Sequence, residues 1–151
     1  MIRTATLAAV AILTSAPALA QQAVVLPCDE RIELDAVPEP WGDHTRSFAN
    51  GDVRLAVIDT IEPAVAAIWL AVLSPPFDPL GARQCRMVGV DGAGFFSVDL
   101  DALGSNYDPS QGLLFDIAVD VFVTATNSPV EMNLGLVVNQ ATGAIQADVT
   151  F

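Results

Sequence analysis

Acidic residues of the C-terminal half carry the spacing that could most readily do chemistry. Asp99 and Asp101 lie two residues apart, and Asp116 and Asp120 lie four apart. Hydrolysis of a glycosidic bond uses two carboxyl groups about 5 to 10 Å apart, and two residues along a β-strand span about 6.6 Å. The spacing therefore permits a periplasmic hydrolase that uses paired carboxylates. Such a cleft usually also presents aromatic side chains, and most aromatic residues here occupy positions expected to face a core. A solvated acidic face is the preferred interpretation.

A nucleophile-based active site has little support. His44 is the only histidine, and it lies beside Asp43 and three residues before Ser47. A Ser-His-Asp site is defined by spatial geometry, and the chain contains no G-x-S-x-G turn that would expose a serine. We therefore expect His44 to lie in an exposed loop, and we assign no catalytic residue.

Metal sites are not indicated either. One histidine and two cysteines are too few for a zinc site if the cysteines pair with each other. Asp99, Asp101 and Gly104 match positions 1, 3 and 6 of a calcium-binding EF-hand loop. However, Leu103 and Ser110 occupy positions 5 and 12, where an oxygen ligand and a bidentate glutamate are required. We expect neither a metal nor a cofactor.

The first twenty residues have the three parts of a secretory signal peptide. Arg3 supplies the basic region, Leu7–Leu13 the apolar region, and Ala18-Leu19-Ala20 the small-residue cleavage site. The apolar run is shorter than the roughly 20 residues that span a bilayer. We predict cleavage after Ala20, a periplasmic or extracellular location, and no integral membrane segment after cleavage.

Cys28 and Cys85, the only two cysteines, are expected to form a disulfide. An even number of cysteines in an exported chain indicates a structural cross-link. A reactive thiol would need a C-x-x-C spacing or a basic environment, and only Arg83 and Arg86 flank Cys85.

The charge balance excludes one class of partner. Six basic and eighteen acidic residues give a formal charge of −12, and hydrophobic residues make up 52% of the chain. Arg3 is the only charged residue of the leader, so the mature chain keeps five arginines against eighteen acids, a formal charge of −13. Nothing here could neutralise a run of phosphates, which excludes a general nucleic-acid binder. The apolar content excludes a disordered acidic tail.

Four segments of the C-terminal half alternate apolar with polar residues: 96–101, 115–123, 132–138 and 145–151. A period of two with one polar face predicts antiparallel strands that are half buried. Turn-forming residues separate the segments, at 104–106, 108–112, 127–129 and 140–143. This half is predicted to be a four-strand meander. Five aspartates would then stand on its polar face: Asp99, Asp101, Asp116, Asp120 and Asp148.

The N-terminal half is less regular. Val53–Asp59 is predicted as a strand that follows the turn at 50–52. Residues 64–73 are apolar on every face and could form a buried strand or a short helix. We prefer a strand paired with Val53–Asp59, expect a further strand at 84–90, and expect an irregular loop at 38–47. About seven short strands predict one all-β domain over residues 21–151, as an antiparallel sheet or a β-sandwich.

Two segments resemble known proteins. Residues 72–76 together with 80–85 resemble a segment of small exported bacterial proteins of unknown function. Residues 137–145 are similar to the final hairpin of PepSY domains, and this resemblance implies export and, in some members, inhibition of proteases. PepSY domains place a helix before their strands, and no such helix is predicted here.

These observations favour an exported, non-enzymatic accessory or binding protein of the bacterial envelope, with another envelope protein as a possible partner. The alternative is the paired-carboxylate hydrolase. The two differ in where the carboxylates lie, because a catalytic pair belongs in a concave pocket and a solvated face is exposed.

Overall fold

The computed structural model describes residues 21–151, so the predicted leader and its cleavage site after Ala20 lie outside the described residues. Nine β-strands occur in this part of the chain: β1 (Ala23–Pro27), β2 (Thr45–Phe48), β3 (Val53–Asp59), β4 (Ile68–Phe77), β5 (Arg83–Val90), β6 (Ser97–Asp108), β7 (Gly112–Val123), β8 (Ser128–Val138) and β9 (Ile145–Thr150). One four-residue helix, α1 (Trp41–His44), precedes β2. From Gln21 to the C-terminus, no helix is long and apolar enough to cross a membrane.

The strands form two antiparallel sheets. Sheet A has the order β1-β5-β4-β3-β2, and sheet B is the meander β6-β7-β8-β9. The predicted all-β fold, the C-terminal four-strand meander and the Cys28–Cys85 disulfide are confirmed.

The main core lies between the inner faces of the two sheets. Val53, Leu55 and Val57 of β3 face it from sheet A, and Ile117 and Val119 of β7 face it from sheet B. All five are at most 3% exposed. Because side chains alternate along a strand, the residues between them must point outward. Each large apolar side chain removed from water in this way contributes about 1.5–3 kcal/mol.

Sheet B differs from its prediction in the first strand. The predicted turn at 104–106 is wrong, because β6 continues to Asp108 through a register shift between Asp99 and Gly104. The placement of Phe96 on the core side is also wrong. Phe95 is fully buried, whereas Phe96 is 38% exposed and stacks on Phe122 with 6.5 Å between ring centroids.

Sheet A contains two strands that the sequence did not reveal. Strand β1 pairs with β5, and β2, predicted as part of a loop at 38–47, pairs with β3. The preference for a strand within 64–73 is right from Ile68 onward, and β3 pairs with β4 as predicted. Because β1 and β5 are neighbours, the disulfide joins the end of an edge strand to the strand beside it.

Candidate functional site

The predicted acidic face lies on the outside of sheet B. Asp99 of β6 pairs with Ala118 of β7, so both point outward, as do Asp116 and Asp120 two residues to either side of Ala118. Asp148 of β9 joins the same face through its pairing with Gly135, which itself pairs with Asp116. Four of the five predicted aspartates therefore share one face.

Asp101 lies apart from those four, within the register shift of β6. Its Oδ1 accepts a 2.6 Å hydrogen bond from Nη2 of Arg46 in β2, forming an ion pair between the two sheets. Nη1 of Arg46 also donates to the backbone oxygen of Gly42 in α1. Asp101 thus connects sheet B to the helix before β2.

One pair of acids on the outer face of sheet B is directly opposed across neighbouring strands. Asp120 of β7 pairs with Glu131 of β8, a residue that the sequence analysis did not include in the face. The hydroxyl of Ser97 donates to Oδ2 of Asp120 at 2.7 Å. Like charges directly opposite on a sheet are destabilising. Repulsion between these two carboxylates therefore lowers the stability of sheet B.

The predicted pair does not share one concave site, because Asp99 lines a hollow of about 230 Å³ with Asp120 and Glu131 whereas Asp101 does not. Asp99 and Asp101 are both exposed, and Oδ1 of Asp99 accepts a 2.7 Å hydrogen bond from the backbone N–H of Asp101. Asp101 also has its charge paired with Arg46. Within residues 21–151, no three His, Cys, Asp or Glu side chains converge in a way that could hold a metal ion.

The outer face of sheet A is apolar, whereas that of sheet B is acidic. Its central side chains form a second apolar cluster, separate from the main core: Ala56, Ile58, Trp69, Ala71 and Met87. Sheet A is therefore buried on both faces. The outer face is covered by residues 28–44, which connect β1 to β2 and are called the covering segment below; Ile32, Ala36 and Val37 pack against the cluster.

Two contacts hold the start of the covering segment on the sheet. The first is the disulfide, where the backbone N–H of Cys28 also donates to the oxygen of Cys85. The second is a guanidinium clamp. Nε and Nη2 of Arg31 donate to the two carboxylate oxygens of Asp29, at 2.9 and 2.6 Å, and the guanidinium lies 4.5 Å from the ring centroid of Trp69. The hydrogen bonds from Arg31 lower the pKa of Asp29 to about 2.

Trp69 can lie flat on sheet A because a neighbouring position on β5 has no side chain. A Cβ at Gly89 would overlap the backbone oxygen of Ala93 and lie 2.7 Å from Cζ3 of Trp69. Glycine is therefore required at this position by close approach of the Trp69 ring and the backbone.

The covering segment does not fill the space above sheet A and leaves a crevice of about 230 Å³ between itself and the sheet. The covering segment contributes Ile32, Val37 and Trp41 to its walls, and the sheet contributes Ala56, Ala71 and Leu73. Leu34 and Trp41 stand at its edge, 76% and 48% exposed. The charged residues that line it are Arg54 of β3 and Glu33 of the covering segment. This cavity is called the crevice below.

A second hollow of about 480 Å³ adjoins the crevice at Glu33 and is more open to solvent. Its charged rim is mainly acidic: Glu30, Arg31, Glu33, Asp35 and Asp59. Arg31 is already bonded to Asp29. Glu30, Glu33 and Asp35 are exposed, and the apolar residues that line this hollow are Ala36, Pro38 and Ile61.

Comparison of the chain with protein families, with curated proteins and with solved structures found no match. The site must therefore be judged on its own geometry. Sequence reasoning missed the crevice and the covering segment, although one signal indicated that a covering segment was needed. Residues 68–73 are apolar on both faces, and a strand of that kind needs a cover on each side.

Proposed function

We propose that the protein is an exported, non-enzymatic binding protein of the bacterial envelope and that the crevice on sheet A is its binding site. The disulfide supports export, because such bonds persist in oxidising compartments. The leader-like residues 1–20 and the resemblance of residues 72–76 and 80–85 to a segment of small exported proteins support the same location. Another envelope protein could deliver the ligand or receive it.

The observation that carries the proposal is the crevice itself. Binding sites for small molecules are concave and mostly apolar, with a few polar groups that fix orientation. The crevice has apolar walls, two charged residues and exposed apolar side chains at its edge. The acidic face of sheet B also has a hollow of about 230 Å³, but Asp99, Asp120 and Glu131 line it, and its apolar lining is limited to Ala118 and Val119. Binding is therefore better supported than hydrolysis by Asp99 and Asp101, because Asp101 does not line that hollow and its charge is paired with Arg46.

The binding site can be tested with a neutral fluorescent probe, N-phenyl-1-naphthylamine, and two matched variants. Ala71→Leu adds volume on the outer face of sheet A inside the crevice, and Ala118→Leu makes the same change on the outer face of sheet B. We expect saturable binding of one probe per chain, loss of that binding in Ala71→Leu, and retention in Ala118→Leu. Absence of saturable binding by the unsubstituted chain, or equal effects of the two variants, would contradict the proposal.

Export has its own measurement, the intact mass of the protein recovered from the periplasm. We expect the mass of residues 21–151 with two hydrogens fewer than the reduced chain, because the leader is removed and the cysteines are joined. A retained leader or two free thiols would count against the envelope location.

A further inference from the structure

We propose that the ligand of the crevice is a small amphiphile with an apolar body and a carboxylate head, and that Arg54 receives the head. The inference rests on the proposed function, because it names the ligand class of the same site. Three observations support it: Arg54 has no carboxylate partner within residues 21–151, apolar residues line the crevice beside it, and the volume of the crevice suits a small ligand.

Arg54 is a cation without an anionic partner in a strongly acidic protein. The described residues contain two ion pairs, Arg31 with Asp29 and Arg46 with Asp101. The hydrogen bond that Arg54 makes runs from its Nε to the hydroxyl of Ser47 at 3.3 Å. Its two terminal NH₂ groups have no acceptor in the described part of the chain, and Arg54 is exposed, so these groups are open to solvent and to a ligand.

The other arginines without a carboxylate partner in residues 21–151 differ from Arg54. Nη1 of Arg83 donates to the backbone oxygen of Gly51 at 2.7 Å, and Nη1 of Arg86 donates to the backbone oxygen of Cys85 at 2.8 Å. Neither lines the crevice. Arg54 is therefore the arginine that combines unused donors with an apolar cavity.

A guanidinium recognises a carboxylate through two parallel N–H···O bonds, which gives both affinity and orientation. Arg54 is well placed to do this because it belongs to a strand in a sheet rather than to a loop. The residue paired with Arg54 on the neighbouring strand β4 is Leu73, which also lines the crevice. A carboxylate bound at Arg54 would thus place its apolar body over Leu73 and Ala71.

The volume limits the size of the ligand. An apolar cavity of about 150 Å³ accommodates benzene, so the 230 Å³ of the crevice corresponds by proportion to roughly nine carbon atoms. Decanoate, with nine carbons beyond its carboxylate, is a suitable probe. Glu33 is the alternative site for the head group, because a cationic head group would bind its carboxylate. Glu33 also lines the open acidic hollow, where water solvates its charge.

Calorimetric titration of the mature, oxidised chain with decanoate, decanol and decyltrimethylammonium separates these choices by head group alone. We expect decanoate to bind one per chain and to bind roughly tenfold or more tightly than either other probe, the size expected for a charge-assisted hydrogen bond. Arg54→Gln should remove that preference. Arg86→Gln, a matched arginine of sheet A outside the crevice, should leave it unchanged. Unfolding curves of both variants establish that they are folded.

Equal binding of the three probes, or equal effects of the two arginine variants, would overturn the carboxylate assignment. Tighter binding of decyltrimethylammonium would also overturn it, in favour of Glu33. In each of these cases the unsubstituted chain would still bind the neutral fluorescent probe, and the Ala71→Leu variant would not bind it. The proposed function would then stand. If the fluorescent probe also fails to bind, the proposed function itself fails.

Discussion

Sheet A and sheet B enclose one core between them, but their outer faces differ. The outer side chains of β3 and β4, such as Ala56, Ile58 and Trp69, are buried under the covering segment. On sheet B, Asp99, Asp116 and Asp148 are exposed to solvent. One face is closed by another part of the chain and keeps a crevice, whereas the other is open and charged.

This difference is the basis for placing the proposed binding site on sheet A. A charged, exposed sheet face favours solubility and keeps its side chains hydrated. A covered apolar face can remove a ligand from water, provided that the cover leaves space. The covering segment provides that space because the disulfide and the Arg31 clamp hold its beginning on the sheet, while Leu34 and Trp41 remain partly in solvent.

The largest expected effect comes from removing the disulfide, which belongs to sheet A alone. Cys28 and Cys85 are 57 residues apart, and the entropy of a loop of this size corresponds to about 4 kcal/mol of unfolding free energy. We expect the double variant Cys28→Ala, Cys85→Ala to lose about 2–5 kcal/mol in urea unfolding. It should also lose the neutral fluorescent probe before sheet B unfolds. Unchanged probe binding in the folded variant would show that the disulfide does not position the cover.

Two strand glycines provide the next test. Gly89 lies in sheet A against Trp69, and Gly104 lies in sheet B, where the nearest atom to an added Cβ is 3.6 Å away. We expect Gly89→Ala to cost about 1–3 kcal/mol or more through overpacking. Gly104→Ala should change the free energy of unfolding by about 1 kcal/mol at most, since the alanine has room and strands disfavour glycine. Equal losses in chemical denaturation would contradict the difference between the two outer faces.

Much of sheet B was predictable because each strand carries its own evidence. The alternation of Phe115, Ile117 and Val119 with polar residues marks both the strand and its buried face. The register shift in β6 was not predictable, because the pairing of β6 with β7 is a nonlocal property that the alternation within one segment does not contain. The local pattern therefore failed at the predicted turn of 104–106, and it also failed at Phe96, which lies just before β6.

Sheet A was less predictable because its evidence is nonlocal. The bounds of β3 were correct, since a turn precedes a continuous apolar run. Strands β1 and β2 are short edge strands that only their neighbours stabilise. The cover depends on Arg31 reaching Trp69, a contact between residues far apart in sequence. The crevice is space that the cover does not fill, and no residue pattern encodes unfilled space.

A smaller effect is expected on the acidic face. Opposed Asp120 and Glu131 repel each other, and salt screens exposed charges with a Debye length of about 10 Å at 0.1 M. We therefore predict a melting temperature that rises between roughly 10 and 300 mM monovalent salt, with at most weak additional stabilisation by calcium. Glu131→Gln should add a few tenths of a kcal/mol and reduce the salt dependence.

Asp101→Asn is the matched control for the acidic face, because Asp101 is attracted to Arg46 rather than repelled by a neighbour. This substitution should lower stability by up to about 1 kcal/mol. A melting temperature that does not depend on salt would show that the aspartates are too far apart to interact. A large shift at micromolar calcium would reveal a built cation site instead.

Another small effect concerns the clamp on the covering segment. The pKa of Asp29 is lowered to about 2 by hydrogen bonds from Arg31. A carboxylate whose pKa is lower in the folded chain stabilises it above the unfolded pKa, and this contribution is lost as the pH falls from about 4 to about 2. Both side chains of the pair are more than a third exposed, so we expect at most about 1 kcal/mol.

The measurement compares urea unfolding at pH 5 and pH 2.5. The unsubstituted chain should lose more stability between the two than Asp29→Asn does. Asp52→Asn, an exposed aspartate whose carboxylate accepts no hydrogen bond from residues 21–151, should behave like the unsubstituted chain. Equal acid losses in Asp29→Asn and the unsubstituted chain would show that the clamp does not hold the cover.

The most direct measurement is a methyl NMR experiment on residues 21–151 saturated with decanoate. If the covered face of sheet A holds the ligand, nuclear Overhauser effects will connect the decanoate chain with methyl groups of Ile58, Ala71 and Leu73, all of which line the crevice. The methyl group of Ala118 on the open face of sheet B will show none. Contacts with Ala118, or no contacts with the three crevice residues in the bound state, would contradict the assignment of the binding site to sheet A.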